Sequence, residues 1–303
     1  MNTKLVVVAG ATGRLGRLII EALSATEGVR VRALVRDPQK PDVASLASDR
    51  AELMAFDATS ATEGARGDAV RGAFAVVSAL QGGPDIIVDA QLALLRAAKA
   101  AGARRFIPSD YSYNVFSLPE GVNINSDWRR TLAQQAAKEV GDSFEVVHVL
   151  QGIFADRGVL GFLGVFDADK GIVRYWGDGK TPIDWTTWED TARFTAAAAI
   201  DDGKVPAHLF VAGERMDMLS FAKTWETVHG RTAVLEPQGS LAELEQLVQK
   251  RLGAEPNNMY AWLPLMYGRG VFGGQALLGA LHNGRYPHIA PETVSQAIKR
   301  GAV

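Results

Sequence analysis

The sequence contains no cysteine among its 303 residues. This absence excludes disulfides, thiolate zinc sites, iron–sulfur ligation and cysteine nucleophiles. A basic surplus is also absent, because 32 Lys and Arg residues stand against 34 Asp and Glu residues. Proteins that bind nucleic acid typically carry a basic patch, so we expect no nucleic-acid partner. The five histidines lack metal-ligand spacing, and no metal site is predicted.

Long hydrophobic runs are missing as well. No stretch approaches the ~18 apolar residues of a membrane span. The apolar run at 5–9 is too short for the core of a signal peptide. We therefore expect no membrane association and a cytoplasmic location.

Glycine is abundant, at 31 of 303 residues, and strand and helix patterns alternate in the first half. The predicted strands are 5–9, 29–35, 73–80, 105–108 and 144–150, and the predicted helices are 15–23, 85–101 and 128–140. Strands that alternate with helices pair in parallel through right-handed crossovers. The pattern therefore predicts an α/β fold of the Rossmann type, with a doubly wound parallel sheet.

Three glycines at a spacing of three lie between the first strand and the first helix. In that context glycine permits a tight turn and close approach of a pyrophosphate, and the helix N-terminus offers N–H groups to the phosphates. The alternative is a strand–helix turn that binds nothing. The cofactor-binding residues predicted in this loop are Gly10, Thr12, Gly13, Arg14, Leu15 and Gly16.

The end of the second strand indicates which dinucleotide is bound. Arg36 follows Gly16 by 20 residues, where a carboxylate would bind the ribose of NAD and an arginine favours the 2′-phosphate of NADP. Arg14 can approach the same phosphate. We predict that the cofactor is NADP(H). NAD remains an alternative because of the carboxylate of Asp37. For Arg36, the alternative is a solvated charge at the strand end that binds no cofactor.

Four further residues are predicted near the cofactor. Asp57 follows the third strand and can accept from the adenine amino group, although a turn-forming role is equally compatible. Gln81 lies in a turn after the fourth strand, where the backbone can pass close to the cofactor. Gly152 and Phe154 follow a later strand and are predicted to flank the nicotinamide.

A second glycine match occurs at 268–273 (GRGVFG), but Pro264 precedes it and argues against a central strand. We expect a mobile glycine- and aromatic-rich segment that lines the substrate pocket. Aromatic side chains suit a flat apolar pocket, although core packing is as good an explanation for each of them. The predicted substrate-binding residues are Trp176, Trp262, Tyr267, Phe272 and His282.

Six motifs in order resemble the NmrA-like and isoflavone-reductase-like branch of atypical short-chain dehydrogenases/reductases. They are 10–16 (GATGRLG), 34–37 (LVRD), 102–109 (GARRFIPS), 151–154 (QGIF), 177–182 (GDGKTP) and 185–192 (WTTWEDTA). The resemblance implies an NADP(H)-binding Rossmann domain with a smaller C-terminal substrate lobe. It also implies either reduction of aromatic natural products or NADP sensing without catalysis.

Regular alternation stops after about residue 151. We expect an NADP-binding domain over 1–151, to which 184–200 returns, and an irregular substrate-binding lobe over 152–303. Within the second half, helices are predicted at 189–200, after the capping-box residues Ser240 and Glu243, and from Pro291 to about residue 300.

The expected catalytic lysine is missing. Reductases that share this resemblance carry a lysine just before a helix with paired basic residues, whereas residues 123–130 read NINSDWRR. Ser109, Tyr111 and Tyr113 follow the predicted strand 105–108, where such sheets bind ligands, and are the candidate proton donors. Packing or passive binding is the alternative for the tyrosines.

Three functions follow from these patterns. The first is an NADPH-dependent reductase of a small aromatic or carbonyl/enone substrate. The second is a non-catalytic NADP(H) sensor, and the third is an isomerase or lyase that uses the bound nucleotide. The expected partner is a small molecule, and the expected assembly is a monomer or homodimer.

Overall fold

The structure is a computed structural model that describes residues 3–303. The strands are β1 Lys4–Ala9, β2 Val29–Val35, β3 Ala51–Ala55, β4 Ala75–Ser78, β5 Arg105–Ile107, β6 Glu145–Val146, β7 His148–Leu150, β8 Ile153–Phe154, β9 Phe166–Asp167, β10 Ile172–Tyr175, β11 Ile183–Thr186, β12 His208–Phe210, β13 Glu214–Met216 and β14 Val234–Pro237. The helices are α1 Arg14–Ser24, α2 Pro41–Ala44, α3 Glu63–Val70, α4 Gln91–Ala100, α5 Ile124–Ala136, α6 Arg157–Phe162, α7 Trp188–Ile200, α8 Met218–His229, α9 Leu241–Ala254, α10 Met259–Phe272 and α11 Val294–Lys299. A π-helical turn, Asp85–Ala90, leads into α4, and a 3-10 turn occupies Asn283–Arg285.

The chain forms two compact units, and each is built from separate stretches. Unit 1 comprises the described part of Met1–Tyr111 together with Trp128–Val149 and Thr191–Leu209. Unit 2 comprises Ser112–Asp127, Leu150–Asp190 and Phe210–Val303. The expectation was a boundary at 151 with a return of 184–200; in this division 112–127 and 184–190 fall in unit 2, and 191–209 falls in unit 1.

Unit 1 contains a six-stranded parallel sheet in the order β3-β2-β1-β4-β5-β6. Val6, Val7 and Val8 of β1 are fully buried, as expected for a strand covered on both faces. Apolar residues from the sheet, α3 and α4 form one continuous core cluster. The Rossmann-type α/β fold predicted from the alternating pattern is confirmed.

Arg105 of β5 ties the C-terminal end of α7 to unit 1. Its side chain is fully buried and donates to the carbonyls of Ala198, Asp201 and Gly203 at 2.6, 2.7 and 2.9 Å. Its Nη2 also lies 2.9 Å from a carboxylate oxygen of Glu145. The last carbonyls of a helix have no partner within the helix, so Arg105 satisfies the Ala198 carbonyl of α7 as well as two carbonyls in the turn that follows the helix.

Unit 2 contains two three-stranded sheets, β14-β10-β9 and β13-β11-β8. Its main core brings together Trp185 of β11 with Phe221 and Trp225 of α8, and all three are buried. Trp185 and Phe221 stack with ring centroids 5.1 Å apart. A separate apolar cluster lies between α9 and α10.

Two elements predicted near the boundary between the units differ in position. The strand predicted at 144–150 is divided into β6 and β7, because the Val147 N–H donates to the Phe106 carbonyl whereas the His148 N–H donates to the Ala207 carbonyl. The helix predicted at 128–140 begins four residues earlier. There the Asn123 side chain accepts the Asn125 N–H at 2.9 Å.

Two segments in the C-terminal part have a secondary structure that the sequence did not indicate. The segment 268–273 was expected to be mobile and to line the substrate pocket, and its residues up to Phe272 lie in helix α10, which contains Pro264. Packing on α9 through the cluster of Leu244, Val248, Trp262, Leu263 and Met266 accounts for this helix. The last helix begins at Val294 rather than at Pro291, because Thr293 and Gln296 form a capping box. The capping box at Ser240 and Glu243 is present as predicted.

Candidate functional site

The carboxyl ends of the strands in unit 1 form the candidate site. β1 lies between β2 and β4, so the strand order reverses at β1. Open α/β sheets bind ligands at such a switch point, outside the carboxyl ends of the strands. The loops after β1 and β4 therefore flank the expected ligand position.

The loop after β1 has a backbone that requires glycine at two positions. Gly10 has a φ of +77°, and a Cβ there would lie 2.5 Å from the carbonyl of Ala79, in the loop after β4. A Cβ on Gly16 would lie 2.2 Å from the Gly10 oxygen, so the first turn of α1 packs directly on the loop. At Gly13 a Cβ would make ordinary contact at 3.4 Å.

The N-terminus of α1 offers backbone N–H groups to an anion. Its N-cap is Gly13, which has no side chain with which to satisfy them. Thr12 and Arg14 are exposed, and the Leu15 side chain is buried, so Leu15 can contribute only its backbone. The Nε of Arg17 donates to the Thr12 carbonyl at 3.0 Å and holds the loop. These groups fit a pyrophosphate, because a helix N-terminus is partially positive.

Two predicted residues lie at the ends of the neighbouring strands β2 and β3. Arg36 is exposed. The pKa of Asp57 is lowered, mainly because the Thr59 hydroxyl donates to it at 2.7 Å, with a smaller contribution from the charge of Arg36. Asp57 thus has the turn geometry that was the alternative reading. Asp37 is also in a turn and accepts the Gln39 N–H at 2.9 Å.

Ser109 lies two residues after the end of β5, and both its backbone N–H and its carbonyl are hydrogen-bonded to side chains. Its N–H donates to Oε1 of Gln91 at 2.9 Å, and its carbonyl accepts from Nε of Arg129 at 3.2 Å. Gln91 Nε2 donates in turn to the Ile87 carbonyl at 2.9 Å. Ser109 is 4% exposed.

Gln81, also predicted near the cofactor, is exposed in the turn after β4.

The hydroxyl of Tyr111 is buried in unit 1. Burial raises the pKa of Tyr111, and the carboxylate of Asp110 raises it further. Tyr111 therefore keeps its proton throughout the ordinary pH range.

The sequence interpretation missed a buried hydrogen bond beside Tyr111. Nδ1 of His148 bonds the carboxylate of Asp110, which is fully buried, and Nε of Arg129 lies 3.9 Å from the other oxygen. His148 packs edge-on against His208, whose pKa is lowered mainly by partial burial. An acidic residue two positions after a predicted strand was the available signal, but its partner lies 38 residues away.

Tyr113, the third candidate proton donor, lies in unit 2 as part of a buried cluster. It is 2% exposed, and its hydroxyl accepts from Asn123 Nδ2 at 2.8 Å. Its ring meets that of Tyr267 edge-on at 5.7 Å. The Tyr267 hydroxyl donates to Asn125 Oδ1 at 3.1 Å. A Cβ on Gly270 would lie 2.9 Å from the Tyr113 hydroxyl, so this position of α10 has to be small.

The two residues predicted to flank the nicotinamide also lie in unit 2. Gly152 has a φ of +79°, and a Cβ there would lie 2.1 Å from the Asp184 carbonyl oxygen. Packing within unit 2 therefore accounts for this glycine by itself. Phe154 stacks on Trp188 with ring centroids 3.6 Å apart.

The remaining predicted substrate residues are spread over several parts of unit 2. Trp262 is buried in the cluster between α9 and α10, and Phe272 is buried in the main core. Trp176 is partly buried against both clusters. His282 Nδ1 accepts the Phe210 N–H at 3.0 Å. Each of these contacts is a packing or backbone contact of the kind the alternative interpretation described.

Residues 3–303 contain no helix that is long and apolar enough to span a membrane. In the same part of the chain, no group of three or more His, Asp or Glu side chains could hold a metal ion.

Known structures share this fold along almost the whole chain. Leucoanthocyanidin reductase from Vitis vinifera, bound to NADPH, has 19% identity, a TM-score of 0.80 and 98% coverage of both chains. Isoflavone reductase has 20% identity, a TM-score of 0.80 and 99% coverage of both chains. The NADPH-dependent quinone oxidoreductase QOR2 from Escherichia coli, complexed with NADPH, has 17% identity, a TM-score of 0.76 and coverage of 97% of this chain and 99% of its own. Similarity at these identities shows the fold alone.

Sequence comparison identifies the family. No curated protein sequence matches the chain. The model of the NmrA-like family matches residues 2–263, which is most of the 303 residues. The resemblance expected from the six motifs is confirmed, and the chain belongs to the NmrA-like family.

Proposed function

We propose that this protein is an NADP(H)-dependent reductase of a small aromatic or carbonyl/enone substrate. The observation that carries the proposal is the loop after β1, where Gly10 and Gly16 are fixed by backbone contacts at the switch point of the sheet. We assign the cofactor to unit 1 and the substrate to unit 2. Leucoanthocyanidin reductase and the quinone oxidoreductase, both solved with NADPH, support this choice of cofactor and substrate class.

The residues of unit 1 have distinct roles in holding the dinucleotide. Backbone N–H groups in the first turn of α1 bind the pyrophosphate, whereas the Gly13 N–H donates to the Gly10 carbonyl and shapes the loop. Arg36, with Arg14, binds the 2′-phosphate, because two guanidinium groups suit a dianion. Asp37 accepts a backbone N–H in its own turn, which favours NADP over NAD. The bound cofactor supplies the hydride.

Tyr111 and Ser109 are the proposed proton donors. Reduction of a carbonyl or enone produces an alkoxide or enolate, which needs a proton from the protein. A tyrosine with a raised pKa still donates to an alkoxide, which is much more basic, and it does not lose its proton to solvent beforehand. Gln91 and Arg129 position the segment by holding the backbone of Ser109.

NADPH oxidation in the presence of aromatic enones, quinones and aldehydes tests the reductase. We expect at least one compound to accelerate the loss of NADPH absorbance. We expect Tyr111→Phe to lower kcat by roughly 10²–10⁴-fold, which is the usual contribution of a positioned proton donor. NADPH affinity should be unchanged in this variant. Full activity in Tyr111→Phe would exclude Tyr111 as the donor.

The cofactor assignment is tested by Arg36→Ala. We expect NADPH binding to weaken by roughly 1.5–3 kcal/mol, because a charge-assisted contact with phosphate is lost, and NADH binding to change little. Isothermal titration with both nucleotides measures this. The matched control is Arg30→Ala, an exposed arginine in the same strand β2, at the opposite end from Arg36. Equal losses for NADPH and NADH would contradict the assignment.

A second candidate function is a non-catalytic NADP(H) sensor. It is favoured by residues 123–130, which contain no lysine, and by the burial of the Tyr111 hydroxyl. A sensor would bind NADPH and NADP⁺ with different affinities. It would leave NADPH intact with every compound of the panel. The same titrations and absorbance measurements therefore distinguish the two functions.

A further inference from the structure

Asp110 is a buried acidic residue between the two residues proposed to donate the proton. Ser109 precedes it, Tyr111 follows it, and its own side chain is fully buried. One carboxylate oxygen is hydrogen-bonded to Nδ1 of His148, which is 5% exposed. A carboxylate only accepts hydrogen bonds, so Nδ1 carries the proton of this bond. The bond therefore fixes the orientation of both side chains.

Ser109 and Asp110 are held by side chains from three elements of unit 1. Gln91 of α4 accepts the Ser109 N–H at 2.9 Å, and Arg129 of α5 donates to the Ser109 carbonyl at 3.2 Å. Nε of Arg129 also lies 3.9 Å from the second carboxylate oxygen of Asp110. His148, the first residue of β7, binds the other oxygen. The orientation of this segment is thus set by side chains that lie 18 to 38 residues away in the sequence.

Stability alone does not explain the buried pair of Asp110 and His148. Removal of a carboxylate and an imidazole from water is unfavourable, and apolar side chains of similar volume often stabilise a fold as well or better. A hydrogen bond between two buried side chains, however, permits few orientations. A proton donor requires such directional support, because small displacements from the reacting atom greatly lower the rate.

We propose that Asp110 and His148 are positioning residues for the proton donor Tyr111. The backbone of His148 is anchored, because its N–H donates to the Ala207 carbonyl at 2.8 Å. Through the carboxylate of Asp110, His148 fixes the segment that carries Tyr111. Burial raises the pKa of Tyr111 and the charge of Asp110 raises it further, which places this carboxylate within electrostatic reach of the hydroxyl. This inference rests on the proposed reductase function, and changes at either residue should affect the chemical step rather than cofactor binding.

A double variant separates positioning from stability. In Asp110→Ala/His148→Leu both members of the pair become apolar, so neither is left buried without its partner. We expect Tm and NADPH affinity to stay close to the wild-type values. With the compound that the wild type reduces fastest, kcat should fall by roughly tenfold to 10²-fold, while KM changes little. A double variant with the kcat of the wild type would overturn the proposal.

Asp110→Asn gives a second test, which does not depend on the folding of the double variant. The amide oxygen can still accept from Nδ1 of His148, but the bond is no longer assisted by charge. We expect kcat to lie between those of the wild type and the double variant, and a kcat equal to that of the wild type would contradict the proposal. The matched control is His208→Gln, because His208 packs edge-on against His148 at a centroid distance of 5.6 Å. Its kcat should match that of the wild type.

A spectroscopic test is independent of turnover. Tyrosine labelled with carbon-13 at Cζ reports the surroundings of each hydroxyl, and the resonance that is missing in Tyr111→Phe belongs to Tyr111. We expect this resonance to move in Asp110→Asn and in the double variant. The resonance of Tyr260, which is 82% exposed, should stay in place.

The outcomes separate this inference from the proposed function. NADPH consumption together with an unmoved Tyr111 resonance would overturn the role of the pair and leave the reductase intact. A resonance that moves in a protein that reduces no compound would support the coupling of the pair to Tyr111 and reject the reductase.

Discussion

The hydroxyl of Tyr111 illustrates how a single residue acquires its chemistry from its surroundings. Removing it from water disfavours the phenolate, and the neighbouring carboxylate of Asp110 adds like-charge repulsion. Both effects raise the pKa of Tyr111. The same two effects make the stability of the folded protein depend on pH at alkaline values.

Stability at alkaline pH should depend on Tyr111. A tyrosine in the unfolded chain ionises near its ordinary pKa of about 10, whereas the folded protein keeps Tyr111 protonated. The contribution of Tyr111 to the free energy of unfolding is therefore fully present below that pH. As the pH rises above it, the free energy of unfolding falls by up to about 1.4 kcal/mol per pH unit. Thermal unfolding between pH 8 and pH 11 measures this decline.

In Tyr111→Phe, the decline of the unfolding temperature between pH 8 and pH 11 should be smaller than in the wild type. Tyr260→Phe serves as the control for loss of a tyrosine, since Tyr260 is 82% exposed, and its curve should follow that of the wild type. Parallel declines of wild type and Tyr111→Phe would show that Tyr111 does not carry the effect.

At the scale of elements, one side chain of β5 binds the end of α7 and the residues that follow it. Arg105 binds the carbonyls of Ala198, Asp201 and Gly203 from the adjacent strand β5. The contacts span 93 to 98 residues of sequence. The end of α7 is therefore bound by the buried guanidinium group of Arg105, which is also paired with Glu145.

We expect Arg105→Met to reduce the free energy of unfolding by about 3–5 kcal/mol, because breaking a buried pair leaves its partners unsatisfied. Arg104→Met is the matched control. Arg104 also pairs with Glu145, at 3.6 Å, but is 38% exposed, and exposed pairs contribute about 0–1 kcal/mol. Urea unfolding of the three proteins measures the difference. Similar losses in both variants would contradict the buried role of Arg105.

Local sequence patterns are sufficient to predict some of the helices and strands but not others. The capping box at Ser240 was recognised because its two side chains act within one turn of the helix. α10 was not recognised, because its support comes from α9, and Pro264 argued against regular structure. The division between β6 and β7 was also missed, since it depends on which neighbour each residue pairs with.

At the scale of the whole molecule, both compact units are assembled from separate stretches of chain. The sequence indicated one such return, at 184–200, and Thr191–Leu209 lies in unit 1. The placement of Ser112–Asp127 in unit 2 has no counterpart in the sequence pattern. Tyr113 consequently lies in a different unit from Ser109 and Tyr111, although only a few residues separate them.

The sequence alone determined the class of fold, the position of the phosphate loop and the family. Each depends on neighbouring residues, such as apolar runs, helical stripes and glycine spacing, and these act over a few turns of chain. Tertiary structure alone decided the pairing of Asp110 with His148, the anchoring by Arg105 and the burial of the Tyr111 hydroxyl. The first two join residues that are 38 and 93 positions apart in the chain, and burial depends on everything packed around a side chain, so none of the three can be read from local sequence.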